Sequence, residues 1–402
     1  MNEPSETVTM STDRFEFDER PRFPRGFRCA SRNCGLKKSG YDLALFHSER
    51  PAAAAGLFTR NRFPGAPVIV GRELIRGGRL SGIVANSKVS NVGTGEQGIL
   101  NARRMAIAAS VELGVPADEV LMSSTGVIGR QLPIERIEAA LVGMAAELGD
   151  DPLRGAEGIM TTDTYPKAIS LRVGDATITL VGKGSGMIEP NLATMLVYIF
   201  TDADFPADTL DHMLREAVDE SFNMLSVDTD TSTSDTCVLM ANGLAGALDE
   251  DLFRGALRAG SIRLTEMLAR DGEGATKLLR ATVEGASDRA QARRAAKAII
   301  NSPLVKTMAF GADPNTGRVL MAVGKCTDVD QEPARIRVWI NGEAVYENGS
   351  TVAYDEAALR ESLSGDPVEI RVDLGMGEAR ATAYGCDLTH GYIDENAAYY
   401  SS

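Results

Sequence analysis

GKGSGMIEPNLATML, residues 182–196, sets three glycines on alternate positions around one lysine and ends in a threonine that opens an apolar run. Two phosphate motifs share its glycine content, and neither fits. A P-loop needs G-x-x-x-x-G-K-[ST], whereas Lys183 is followed by Gly184 and the residue five before Gly182 is Thr177. A dinucleotide fingerprint needs G-x-G-x-x-G opening a helix, whereas Gly182, Gly184 and Gly186 lead to Pro190 and then to TMLVYIFTDA, a strand-like run too apolar to be exposed on either face. Thr194 therefore stands at a loop-to-strand junction, and the glycines read equally well as a plain turn between strands.

Outward from this stretch the pattern is mixed α/β. ATITLVG (176–182) precedes it as a strand; further upstream the short β-rich runs APVIVG (66–71) and SGIVAN (81–86) lead to helices expected over 100–113 and 134–149. In the second helix Ile134, Ile137, Leu141, Met144 and Leu148 fall at three- and four-residue spacing behind Pro133, a good first-turn residue. Downstream, helices are expected over 207–225, 249–270 and 287–301, the last starting at the cap candidate Ser287 and stopping before Pro303. They alternate with strands at VLMANG (238–243), LLRATVEG (278–285), VLMAVGK (319–325), IRVWING (336–342), VEIRVDLG (368–375) and RATAYGC (380–386). No fixed-period repeat interrupts them. The expected fold class is α/β: a layered sandwich with mixed, mostly antiparallel sheets. Residues 1–25, charged and broken by Pro21 and Pro24, read as a disordered or loosely attached arm, with ordered structure from Gly26.

With 402 residues, 44% of them hydrophobic, the chain can bury a large core. Its 42 basic against 56 acidic side chains give a formal charge of −14, the wrong sign for a nucleic-acid surface. Five scattered cysteines, an odd number without a CxxC pair, suit neither a disulfide framework nor a closed zinc site; a reducing cytoplasm is the expected compartment. The acidic N-terminus has no signal-peptide character, and no run reaches the roughly 18 apolar residues of a membrane span.

His47, His212 and His390 have no partner at metal or triad spacing and read as ordinary surface or packed residues. Hydroxyl chemistry is what remains, and SSTG (123–126), MTTDT (160–164) and DTDTSTSDT (228–236) are rich in it. Threonine is a poor nucleophile without an adjacent base, but the α-amine of an N-terminal threonine is such a base, titrating at about 8. Using Thr194 this way requires a cut after Ala193, and a small residue behind a glycine-rich loop suits the N-to-O acyl shift that would make it.

GKGSGMIEPNLATML resembles the autocleavage motif of the ornithine acetyltransferase family, usually K-G-S-G-M-I-x-P-N-x-A-T-M-L. The resemblance continues through GLFTRNRFPGAPV (56–68), SSTGVIGRQLP (123–133), GIMTTDTYPK (158–167), DTDTSTSDT, RDGEGATK (270–277), NSPLVKT (301–307), DPNTGR (313–318) and YGCDLTHGY (384–392), from about Gly26 to the C-terminus. It implies a self-processing fold of the N-terminal-nucleophile type with a smaller C-terminal α/β region. One chain would be cut into an α fragment (26–193) and a β fragment (194–402) that stay together, commonly as α2β2. It implies ping-pong transfer of acetyl from N-acetylornithine to glutamate through Thr194, with its freed amine as base and Thr125 and Gly126 as oxyanion hole. Substrate contacts carry over to Thr161, Lys183, Thr194, Glu273, Asn396 and Ser401: a lysine for a carboxylate, a glutamate for an ammonium. Neither metal nor cofactor is implied, and acetyl-CoA stays open as an alternative acyl donor.

The chain departs from that pattern in three places. NSKVSN (86–91) stands for the usual N-S-G-N-A-N, Thr316 in DPNTGR for a usual tryptophan, and Val181-Gly182 for Met-Ala. These leave open the same chemistry on a different amino-acid donor or acceptor, a paralogue in a specialised pathway. On the residues alone, a glycine-loop phosphate-binding kinase and an acidic non-enzymatic scaffold are the competing classes.

Overall fold

The apolar run behind the glycine loop becomes a central strand because both its faces are covered: in Leu196–Asp204 the first eight residues are buried and both edges are paired. The computed structural model describes residues 15–189 and 195–397. Nine strands form one sheet: β1 (Glu16–Phe17), β2 (Phe27–Arg32), β3 (Leu43–Phe58), β4 (Arg79–Asn86), β5 (Val120–Ser124), β6 (Lys167–Val173), β7 (Ala176–Lys183), β8 (Leu196–Asp204) and β9 (Thr236–Ala247). Their order is β1-β6-β7-β8-β9-β3-β4-β5, with β2 also on β3. Only β8–β9 and β4–β5 are parallel pairs.

The long strand β3 folds this sheet over on itself. Its first part pairs with β2 and β4, its last part with β9, and its register with β4 shifts between His47 and Ala52. The two halves meet face to face: Phe46 stacks on Phe200 with ring centroids 5.5 Å apart and meets Tyr198 edge-on at 5.2 Å. Each such aromatic pair contributes about 0.5–1.5 kcal/mol beyond its area burial. Helices Ala66–Leu74, Gly95–Leu113 and Ile134–Leu141 cover one outer face, on Leu43, Leu45, Val84 and Met122. Helices Ala207–Glu220 and Glu250–Arg270 cover the other, on Ile178, Leu180 and Ile199. The result is a helix–sheet–sheet–helix layering, within the layered α/β class with mostly antiparallel sheets that was expected. A smaller sheet of β10 (Leu278–Ala286), β11 (Arg337–Ile340), β12 (Glu343–Glu347), β13 (Ser350–Thr351), β14 (Val368–Asp373) and β15 (Ala379–Cys386) forms the C-terminal region, where β10–β14 alone is parallel.

Several local expectations change. APVIVG (66–71) and VLMAVGK (319–325), read as strands, lie in helices Ala66–Leu74 and Thr316–Gly324. Thr316, Val319, Ala322 and Val323 are buried at helical spacing, so packing overrides the strand preference of valine. The 287–301 helix is capped by Asp288, whose carboxylate accepts from the Gln291 N–H at 2.9 Å, rather than by Ser287. The 134–149 helix ends at Leu141 because Gly143 turns left-handed at φ 74°, and a short 3₁₀ turn follows. Of the arm expected over 1–25, the described part docks: β1 pairs with β6, and Phe23 sits edge-on to Phe200 at 5.3 Å.

Candidate active site

The loop after β5 carries the first wall of the site. Thr125 donates its N–H to the Asn86 carbonyl at 3.0 Å, and Val127 to the Lys88 carbonyl at 3.0 Å, so residues 124–127 continue the β4–β5 pairing beyond the strands. Between them Gly126 adopts φ 125°, and a Cβ there would lie 2.2 Å from the Lys88 carbonyl carbon. Only glycine fits. Lys88 itself holds φ 77°, uncommon for a residue with a side chain.

The second wall grows from β7. Lys183, its last residue, is buried and donates to the Thr161 hydroxyl at 3.2 Å. Behind it lies a fully enclosed ion cluster. Lys167 Nζ donates to Asp163 at 2.8 Å and also to Asp271, while Asp163 accepts the Gly184 N–H at 2.7 Å and the Thr161 N–H at 2.9 Å. Burial pushes the Asp163 carboxyl up, but the charges of Lys167 and Lys183 outweigh it and hold the group below its ordinary value. Burial pushes Lys183 the other way, below a normal lysine, against the pull of Asp163 and Asp235.

Glu273 closes the third side. Its backbone N–H bonds to the Ser185 carbonyl at 3.0 Å, and its carboxylate accepts from the Thr162 hydroxyl at 2.8 Å and from Asn396 Nδ2 at 2.7 Å. Gly186 leaves the room this carboxylate occupies, since a Cβ there would lie 2.2 Å from Glu273 Cδ. Asn396 arrives on the His390–Asn396 helix, whose first turn touches Gly274 backbone to backbone.

These walls enclose a cavity of about 110 Å³ lined by Thr125, Gly126, Thr161, Lys183, Glu273 and Asn396, together with Ser232–Ser234 from the loop before β9. All six expected site residues that are described thus meet in one place. Ala193, Thr194 and Ser401 lie outside the described residues. None of the three histidines lines the cavity. The loop is also no phosphate cradle: Gly184 donates its N–H to Asp163, and Met187 and Ile188 donate theirs to Asp228 at 2.6 and 2.8 Å, so carboxylates already occupy the donors a phosphate would need.

Sequence reasoning missed Asp163, Lys167, Asp271, Asp228 and Asp235 as individual residues, although all fall inside quoted motifs. Charged residues set in hydroxyl- and glycine-rich segments were the available signal. Asp235 is the most unusual of them. It is buried just before β9, and its Oδ2 has no hydrogen-bond partner among the described residues. Burial drives its carboxyl well above its ordinary value, with the Ser232 and Thr59 hydroxyls and the Lys183 charge pulling weakly against it.

A family model described as "ArgJ family" matches residues 28–401. The chain belongs to the ArgJ family. Among relatives of this family, it is 45% identical to the arginine biosynthesis bifunctional protein ArgJ 2 of Nostoc over 94% of its own length and 97% of that protein's. It is likewise 45% identical to a glutamate N-acetyltransferase of Streptomyces clavuligerus, over 95% of this chain and 99% of the relative. A solved ArgJ structure from Bacillus halodurans aligns with 50% of this chain and 98% of its own at 37% identity, with a TM-score of 0.49. Among the described residues of this ArgJ chain, no helix is long and apolar enough to cross a membrane.

Proposed function

We propose that this protein moves an acetyl group from N-acetylornithine to glutamate through an ester on Thr194, after cutting itself between Ala193 and Thr194. The observation that carries this reading is the convergence of an oxyanion-type turn, a buried lysine and a half-buried glutamate on one small cavity beside the start of β8. Met195, the residue bonded to Thr194, accepts the Thr236 N–H at 2.9 Å, two residues from the cavity-lining Ser234. Neighbouring Cα atoms are about 3.8 Å apart, which supports taking the Thr194 hydroxyl as the attacking group.

In the cutting step that hydroxyl attacks the Ala193 carbonyl, the peptide C–N bond breaks to leave an ester and a free α-amine, and water hydrolyses the ester. In the transfer step the α-amine takes the hydroxyl proton while the oxygen attacks the acetyl carbonyl of N-acetylornithine. The Thr125 hydroxyl and Gly126 N–H stabilise the oxyanion; the C–N bond breaks and ornithine leaves with the proton. Glutamate's amine then attacks the acetyl ester by the reverse sequence. Lys183 pairs with the substrate α-carboxylate and Glu273, assisted by Asn396, with its ammonium, and Thr161 and Ser401 complete the contacts. No step calls for a metal or a cofactor, and acetyl-CoA is a second donor to be assayed alongside. The fragments 26–193 and 194–402 remain together, as α2β2, in the cytoplasm.

Intact-mass spectrometry and an acetyl-transfer assay test this together. The expected result is two fragments meeting at Ala193/Thr194, an added acetyl on the β fragment after incubation with N-acetylornithine, and an uncut, inactive Thr194→Ala variant. An uncut chain that still transfers acetyl, or a cut chain that makes no N-acetylglutamate, overturns it. Lys88, held at φ 77° directly behind Gly126, motivates a second reading in which the same chemistry serves another amino acid. A donor panel led by a compound other than N-acetylornithine favours it.

A further inference from the structure

A second cavity, of about 410 Å³, opens where the Glu250–Arg270 helix, the Arg289–Ile300 helix and β15 converge with the end of the Ala207–Glu220 helix. It shares no lining residue with the site above. Four arginines face it: Arg258 and Arg289 and Arg293 from the two helices, and Arg380 from the strand.

Two carboxylates partly balance them. Glu220 pairs with Arg258 and, at 3.3 Å, with Arg289; Asp219 pairs with Arg289 at 3.1 Å and Arg293 at 3.0 Å. Arg380 has no ion pair among the described residues. Four guanidinium groups against two carboxylates leave an excess of two positive charges, in a chain whose net charge is −14. The nearby Glu266 does not reduce it, being bonded to Arg280. The groove next door shares Glu220, Arg258 and Arg289 with it, and its further arginines are already paired, Arg215 with Asp211 and Arg254 with Glu216 and Glu250. Crowding is felt within the cluster: burial, and the neighbouring Arg289 charge, hold Arg293 below an ordinary arginine despite Asp219.

The rest of the cavity suits an organic body. Met224, Ile262 and Ala381 give it apolar walls, and burial pushes the Tyr384 phenol up to about 12, so its hydroxyl stays neutral. The volume lies in the range of small-molecule sites, and guanidinium forks match phosphate oxygens in pairs, whereas a single carboxylate satisfies only one of the two spare charges.

We propose that this arginine cavity binds a dianionic ligand of the phosphate class, a phosphate ester or diphosphate on a small organic body, at a site separate from acyl transfer. Calorimetric titration of the purified full chain with inorganic pyrophosphate, at ionic strength held constant with sodium chloride, tests it. The expected result is saturable binding of one pyrophosphate per chain. Arg380→Ala weakens binding about ten-fold or more, as loss of a charge-assisted bidentate contact does, and Arg380→Glu abolishes it. Both variants keep the wild-type melting temperature without anion and the wild-type acetyl-transfer rate, because Arg380 is exposed and holds no structural ion pair. Absence of saturation, or equal affinity in Arg380→Glu, overturns the proposal. So does binding that survives Arg380→Glu but disappears in Lys183→Ala, which would put the anion in the acyl-transfer cavity.

Discussion

Replacing Gly126 by alanine separates two costs that usually travel together. At φ 125° a residue with a side chain pays about 1–3 kcal/mol in backbone strain. The new methyl would also lie 2.2 Å from the Lys88 carbonyl carbon and 2.4 Å from its oxygen, and these are backbone atoms held by the Val127 N–H, so no flexible side chain can move aside. Relieving that overlap shifts the loop, at about 1–3 kcal/mol more. Gly129 supplies the control from the same loop: its φ is 83°, but nothing lies within 4 Å of a Cβ there, so Gly129→Ala pays only the left-handed backbone term, about 1–2 kcal/mol. Denaturant melts of both variants are expected to rank Gly126→Ala well below Gly129→Ala. Acetyl transfer by Gly126→Ala should fall about 10²–10³-fold, the effect of losing one oxyanion donor, while Gly129→Ala keeps most of its rate. Two variants with the same melting midpoint and the same turnover would refute both the steric argument and the assigned role of the turn.

Lys167→Met should destabilise the fold by about 3–5 kcal/mol in urea unfolding, because it leaves Asp163 and Asp271 buried without their cation; an unchanged midpoint contradicts the cluster. Thr316→Val should stabilise by about 1 kcal/mol without altering acetyl transfer, since the Thr316 hydroxyl is buried with no partner among the described residues and does not line the active cavity. Asp235→Asn should match the wild type in stability near pH 4 and exceed it near pH 7. The native carboxyl is raised, so as pH climbs past the unfolded value the folded state holds the extra proton, and each unit in that window costs the wild type about 1.4 kcal/mol. Melting curves with a constant gap across that range would show that Asp235 is not held neutral.

The layered class and the order of most elements were legible from periodicity, and the six described cavity residues only through the family resemblance of the motifs that hold them. Legibility failed where tertiary contact decides. APVIVG and VLMAVGK are apolar runs too short to reveal their period; the first is buried almost throughout, and the second is buried in three- and four-residue steps only once folded. The β3 bend that folds the large sheet lies at the register shift between His47 and Ala52, where Pro51 marks a break in pairing but does not say which strands each half joins. Asp163, Lys167 and Asp271 come from two motifs about a hundred residues apart, and each alone reads as a solvated surface charge. The Thr316 departure, one of the three that leave another donor or acceptor open, falls in the Thr316–Gly324 helix of the C-terminal region and does not line the active cavity.

If the chain is cut after Ala193 as proposed, the sheet order carries a consequence for the two fragments. Strands β8 and β9 from the C-terminal fragment lie between β7 and β3 from the N-terminal one, with six residue pairs on each seam. A fragment released inside a finished sheet cannot leave without stripping both seams and exposing two unpaired edges. Cut halves therefore do not trade partners: isotope-labelled and unlabelled protein mixed after processing keep their own fragments until the fold itself is lost. Each pair would then be the lasting product of one translation event, and a variant in one half would never borrow a healthy counterpart from a neighbour.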